Sequence, residues 1–110
     1  MMRAIPGLLL ALCAIGSATP SDAADPKAAL ARVQQVCAAC HGMDGNSQVA
    51  DNPKLGGQYP DYMAKALRDY QSGLRKNPVM AGFVDKLSNQ DLENLAAYYA
   101  SQPAAVVIKQ

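Results

Sequence analysis

The sequence predicts a small all-α domain built from three main helices. Three segments carry apolar residues at the 3.6-residue period of an amphipathic helix, and none shows the two-residue alternation of a strand. Proline and glycine separate these segments, as they do where helices end and loops begin. The chain has 110 residues, a length that suits one domain.

The first helix is predicted to begin at Asp25-Pro26, an N-cap residue followed by proline at the first helical position. Leu30, Val33 and Cys37 are predicted to share one face, and Cys40 continues this face one turn later. Gly42 follows, so the helix is expected to end near Cys40.

The second and third helices have clear start and stop signals. The second is predicted to begin near Pro60 and to end at Gly73, a natural C-cap. The third is predicted to begin at Ser88, where Asp91 three residues later forms a weak capping box. Pro103 is expected to end it.

Two long loops are predicted between the helices, over residues 42–58 and 74–87. The first contains Pro53 and two adjacent glycines, and the second contains Asn77-Pro78 and Gly82. Structureless loops of this length are uncommon in a small domain and are often functional.

The N-terminal residues 1–24 resemble a secretory signal peptide. Arg3 precedes a mostly apolar run over residues 5–15, and Ser21-Asp22-Ala23 forms a small-x-small cleavage site. The run is shorter than the 18 or so residues that a membrane span needs. We predict an exported, periplasmic protein with a domain over residues 25–103 and a flexible tail over 104–110. Retention of the signal as a membrane tether is the alternative.

The composition limits both the partners and the core. The formal net charge is +1, which argues against nucleic-acid binding, since that function needs a strongly basic face. The chain has no tryptophan and one phenylalanine, Phe83. With so few large side chains, the core of such a small domain is marginal, and a further group is expected to fill its centre.

The residues most informative about chemistry are Cys37-Ala38-Ala39-Cys40-His41. C-x-x-C-H is the attachment pattern of c-type haem. On a helical turn the two thiols stand at i and i+3, where they can form thioether bonds to two vinyl groups of one macrocycle. His41 follows directly, as the only histidine of the chain. The motif therefore predicts one covalent haem c with His41 as an axial ligand of its iron.

Two other interpretations of the motif remain open. A disulfide between Cys37 and Cys40 would suit an exported protein, but a thioredoxin-type C-x-x-C lies in a strand–helix context that is not predicted here. A zinc site normally has four ligands, and two cysteines with one histidine fall short of that number.

A methionine sulfur is the usual second axial ligand in electron carriers. Met43 lies only two residues after His41 and cannot readily reach the opposite face of the haem. Met63 falls on the apolar stripe of the second helix, which favours core packing. Met80 belongs to no predicted helix, and its loop favours a ligand role over that of a gap-filling side chain.

Beyond the motif, the sequence resembles the small bacterial class I cytochromes c, near the branch of periplasmic mono-haem and di-haem carriers. The resemblance covers about residues 27–102. The similar segments are Cys37 to His41, Pro53-Lys54-Leu55-Gly56-Gly57-Gln58, Tyr62 with the helix after it, Asn77-Pro78-Val79-Met80-Ala81-Gly82, Leu87-Ser88 and Leu95-Ala96-Ala97-Tyr98-Tyr99. Di-haem relatives carry two attachment motifs, whereas this chain has one.

The resemblance implies an all-α, cytochrome c-like fold around the haem. It also implies that the Pro53 carbonyl accepts a hydrogen bond from His41, that Met80 is the distal ligand, and that the pocket is lined by Leu55, Leu67 and Leu95.

The function that this resemblance implies is single-electron transfer with transient redox protein partners, without enzymatic activity. A haem c subunit of a larger oxidoreductase is the main alternative. A haem enzyme or gas sensor with a labile Met80 ligand is a further one.

Overall fold

The computed structural model describes residues 23–104, together with Met2, Ala4, Gly7 and Gly16. Every regular element in this part of the chain is a helix, so the predicted all-α class is confirmed. The predicted signal peptide and the predicted tail lie for the most part outside the described residues.

The first helix, α1, spans residues 27–41 and changes its winding along its length. It contains a 3₁₀ turn over Lys27–Ala29, an α turn over Leu30–Arg32, a π turn over Val33–Cys37 and an α turn over Ala38–His41. Gly42, with φ of +82°, ends the helix in a conformation that favours glycine.

The predicted buried face of α1 was partly wrong, because the helix contains a π turn. Leu30 is 40% exposed, whereas Ala29 is 4% and Val33 0% exposed. A π turn holds about one residue more than an α turn, so residues spaced four apart stay on one side of this helix. Ala29, Val33 and Cys37 therefore share the inner face, and Leu30 turns to solvent.

Helix α2 is Pro60–Ser72 and helix α4 is Asn89–Ala100, close to the predicted second and third helices. Gly73 ends α2 with φ of +81°. The capping box at the start of α4 is confirmed, because Ser88 accepts a hydrogen bond from the Asp91 N–H and Asp91 accepts one from the Ser88 N–H.

The prediction of a continuous loop over residues 74–87 was wrong, because its middle forms helix α3, Pro78–Val84. The Asn77 side chain accepts hydrogen bonds from the N–H groups of Val79 and Met80, and Pro78 occupies the first helical position. An N-cap followed by proline is a helix start signal. Gly82 lies in the interior of this helix, and because glycine is typical of loops it led to the wrong prediction.

Helices α1, α2 and α4 meet in one apolar core, to which α3 contributes its last residue. The buried residues are Ala29, Val33, Met63, Ala64, Leu67, Val84, Leu87, Leu92, Leu95, Ala96 and Tyr99. On the surface, the Arg68 guanidinium of α2 reaches Glu93 at 2.7 Å and Asn89 at 3.3 Å, both on α4. The buried residues of α2 and α4 pack against each other, and a cavity lined by all four helices remains beside this core.

Candidate functional site

One cavity of about 410 Å³ collects all the residues predicted for the site. Its walls come from all four helices and from the segment that precedes α2. The predicted residues that line it are Cys37, Cys40, His41, Pro53, Leu55, Leu67, Met80 and Leu95. The volume falls within the range of roughly 300–1,000 Å³ typical of small-molecule and cofactor sites.

The two thiols lie on the last turns of α1. Cys37 is half-buried, Cys40 is exposed, and neither forms a disulfide. Burial raises the pKa of the Cys37 thiol, and the nearby Arg32 guanidinium only opposes this rise. Redox-active C-x-x-C cysteines have a lowered pKa. The environment of Cys37 therefore argues against the catalytic disulfide interpretation.

A hydrogen bond orients the imidazole of His41. His41 is 8% exposed, and its Nδ1 lies 2.9 Å from the Pro53 carbonyl oxygen. A carbonyl oxygen only accepts, so Nδ1 carries the proton and Nε2 keeps its lone pair. Among the described residues Nε2 has no hydrogen-bond partner, which leaves this nitrogen available to a metal.

Two tyrosines of α4 secure the chain directly after His41. The Tyr99 hydroxyl donates to the Gly42 carbonyl at 3.2 Å, and the Tyr98 hydroxyl donates to the Met43 carbonyl at 2.6 Å. The two rings stand edge to face, with centroids 5.2 Å apart. The sequence carries no signal for these hydrogen bonds, because they join residues 55 to 57 positions apart.

The three methionines considered as ligands differ in their exposure and in whether they line the cavity. Met63 and Met80 both line the cavity, whereas Met43 is 41% exposed and is not part of its walls. Met63 is 5% exposed and belongs to the buried core, as its position on the stripe of α2 predicted. Met80 lies on α3 and is partly buried against that core.

One wall of the cavity contains residues that the sequence did not single out as site residues. Arg75 lies in the turn between α2 and α3, with its guanidinium 5.0 Å from the centre of the Tyr70 ring. A hydrogen bond with Tyr62 and the neighbouring Tyr70 raise the pKa of this arginine. Arg75 follows no helical period, so only the folded chain shows that it faces the cavity.

The donor set argues against a zinc site. In the part of the chain that the structure describes, no three or more His, Cys, Asp or Glu side chains cluster so that they could hold a metal ion. A haem fits better. Two thiols three residues apart, one imidazole with a free Nε2 and two thioethers face a cavity whose remaining walls are largely apolar.

Comparison with known proteins supports the same conclusion. The family model described as "Cytochrome C oxidase, cbb3-type, subunit III" matches residues 24–98. Cytochrome c4 of Stutzerimonas stutzeri is 42% identical over 115 residues, covering 96% of this chain and 53% of the relative. Cytochrome c-553 of Helicobacter pylori is 33% identical over 92 residues, covering 83% of this chain and 92% of the relative.

A solved structure is similar as well. The crystal structure of reduced recombinant cytochrome c4 from Pseudomonas stutzeri matches with a TM-score of 0.71 and 44% identity, over 76% of this chain and 48% of that one. The present chain thus spans about half the length of the cytochrome c4 proteins it matches.

The fold and the site are those of a haem c protein, and the chain belongs to the cytochrome c family. Within that family it is a class I cytochrome c similar to proteins named cytochrome c4, as its sequence motifs predicted. None of the described helices is both long and apolar enough to cross a membrane.

Proposed function

We propose that this chain carries one covalent haem c and transfers single electrons between redox proteins in the periplasm. Cys37 and Cys40 would form the two thioether bonds, and His41 and Met80 would be the axial ligands of the iron. The supporting observation is that one cavity is lined by two thiols and an imidazole of defined tautomer from α1 and by a methionine thioether from α3.

The bound haem would supply reversible exchange between ferric and ferrous iron. The chain's own residues would keep the ligand geometry the same in both states. Pro53 holds the His41 ring and raises its basicity through Nδ1. Leu55, Leu67 and Leu95 line the pocket and lower the local dielectric constant. A rigid, apolar surrounding suits electron transfer because little has to reorganise when the charge of the iron changes.

The choice of Met80 over Met63 follows from what surrounds each side chain. Met63 lies on the buried stripe of α2 with Ala64 and Leu67, so moving its sulfur would disturb the core. Met80 lies on the short helix α3, where Val79 and Phe83 are exposed. The position of its sulfur is therefore less constrained by the core than that of Met63. With both axial positions filled by the protein, no position on the iron is left for a substrate, and the proposed role is not enzymatic.

Location and partners complete the proposal. Residues 1–24 would direct export and be cleaved, leaving the domain over residues 25–103 and the tail after it. The partners would be redox proteins that bind transiently, as is usual for electron carriers.

A second candidate function is that of a haem c subunit in a larger oxidoreductase. The description of the matching family, an oxidase subunit, favours it. Co-purification from the native membrane and soluble fractions distinguishes the two. A free carrier elutes without a stoichiometric larger chain, and a subunit elutes with one.

The test of the haem site uses purified mature protein. A pyridine haemochrome assay is expected to give one haem per chain, and the ferric protein is expected to show the weak far-red charge-transfer band of iron bonded to methionine sulfur. Met80→Ala should abolish this band and lower the reduction potential, whereas Met63→Ala should retain the band. Loss of the band in Met63→Ala alone would contradict the assignment of Met80.

A further inference from the structure

We propose that Gln71 is a positioning residue for the axial thioether, because it anchors the end of the helix that carries Met80. This inference rests on the proposed function, in which Met80 is a ligand of the haem iron. Gln71 is outside the cavity wall, so its effect on the iron would be exerted through α3.

The contact joins the last turn of α2 to the end of α3. Gln71 Nε2 lies 2.9 Å from the Val84 carbonyl oxygen and 2.7 Å from the Leu87 carbonyl oxygen. Both partners only accept, so the amide nitrogen, with its two protons, must face them. One side chain therefore ties together the last residue of α3 and the turn that leads from it towards α4.

Helix α3 depends on such contacts because it is short. It has seven residues, whereas isolated helices of fewer than about 12–15 residues are marginal in water. Val79 and Phe83 are 63% and 45% exposed, so much of the helix surface contributes little to its packing. Val84 is the residue of α3 that enters the buried core.

The two ends of α3 are held by different side chains. Asn77 caps the N-terminus through the N–H groups of Val79 and Met80. Gln71 binds the carbonyl groups at the other end. Removal of the Gln71 amide would leave the carbonyls of Val84 and Leu87 without these donors, so α3 could shift away from α2. The Met80 sulfur would then leave the iron more easily.

The experiment compares haem-loaded Gln71→Ala and Gln71→Glu with the unaltered protein. Added imidazole competes with Met80 for ferric iron, and loss of the far-red band reports the exchange. In Gln71→Ala we expect imidazole to bind about tenfold more tightly, the factor that corresponds to losing one to two hydrogen bonds. Gln71→Glu has nearly the same shape, but its carboxylate cannot donate, and we expect at least as large an effect.

Gln90→Ala is the matched control. Gln90 is also a half-buried glutamine on a helix, but its Nε2 donates to Asn94 Oδ1 at 2.9 Å, and it has no hydrogen bond to α3. We expect imidazole to bind this variant as it binds the unaltered protein. The free energy of unfolding is measured for all the variants, to separate a general loss of stability from a specific loss at Met80.

Three results would overturn the inference. Imidazole affinities of Gln71→Ala and Gln71→Glu equal to that of the unaltered protein would reduce Gln71 to a structural role. An equal rise in imidazole affinity in Gln90→Ala would do the same. A far-red band that is absent from the unaltered protein, or that persists in Met80→Ala, would overturn the proposed ligand set and this inference with it. If Gln71→Ala fails to fold, Gln71→Glu alone decides.

Discussion

The two sides of the cavity are constructed differently. The proximal region, residues 37–57, carries the attachment motif and is secured by backbone hydrogen bonds together with the hydroxyls of Tyr98 and Tyr99. Gly45 accepts hydrogen bonds from the N–H groups of Leu55 and Gly56 at 2.6 and 3.2 Å, and the Gly57 N–H donates to the Tyr99 carbonyl at 3.0 Å. The distal region, residues 74–87, consists of α3 and two turns, held mainly by side chains at their ends.

The two proposed ligands differ in the same way, because the position of His41 follows from its neighbours in sequence and that of Met80 from the packing of α3. His41 follows Cys40 directly in the sequence. Attachment of a haem to the two thiols would therefore also place the imidazole close to the iron. Met80 lies 39 positions after His41, on a helix whose two ends contact Asn77 and Gln71 through hydrogen bonds. We therefore expect perturbations of the proximal region to affect folding, and perturbations of the distal region to affect the methionine ligand first.

The largest expected effect is the unfolding of both the proximal and the distal region in the Cys37→Ala, Cys40→Ala double variant. Without the haem, the cavity of about 410 Å³ has nothing to fill it. Burial of several hundred Å² of macrocycle contributes on the order of 10 kcal/mol, which is comparable to the 5–15 kcal/mol that stabilises a typical domain. Far-ultraviolet circular dichroism should show a largely unfolded chain, and native-like helix content would refute this.

The next effect is confined to the proximal region. In Gly45→Ala the new Cβ would lie 2.7 Å from Gly56 N and 2.7 Å from Tyr99 Cδ1, at a residue with φ of +74°. We expect a loss of about 3 kcal/mol in the free energy of unfolding, measured by denaturant titration. Gly73→Ala is the control, since Gly73 also has positive φ but nothing within 4 Å. A loss in Gly45→Ala no larger than that in Gly73→Ala would show that the close contacts are unimportant.

A smaller effect is expected in the distal region from Asn77→Ala, which removes the cap of α3. Two N–H groups, one of them that of Met80, lose their acceptor. The cost of losing an N-cap is about 1 kcal/mol. We expect a corresponding fall in the free energy of unfolding and a weaker far-red band. Asn77→Asp keeps the acceptor and should retain both. A normal band in Asn77→Ala would indicate that α3 positions Met80 without its cap.

The smallest expected effect is a gain in stability. Gly82 lies inside α3, its φ is not positive, and a Cβ there would meet nothing within 4 Å. Gly82→Ala should raise the free energy of unfolding by about 0.5–1 kcal/mol, because alanine loses less backbone entropy in a helix. A thermal melt measures this, and a lower melting temperature would show that the distal region tolerates no added side chain.

Much of the fold was predictable from local signals. Pro60 and Gly73 mark the ends of α2, and Ser88 with Asp91 marks the start of α4, because caps depend on residues within one turn of each other. The same signal was present at Asn77-Pro78, but Gly82 made the segment look like a loop. The π turn in α1 had no local signal, so the exposure of Leu30 could not be predicted from an ideal helical period.

The amino-acid sequence alone determined the proposed attachment motif, since the spacing of Cys37, Cys40 and His41 places two thiols and an imidazole close together at the end of one helix. The tertiary structure decided which distant groups meet around that motif. Pro53 meets the His41 ring, Met80 enters the same cavity, and Gln71 binds the end of α3. Local geometry follows from covalent spacing, whereas contacts between distant segments depend on how whole helices pack.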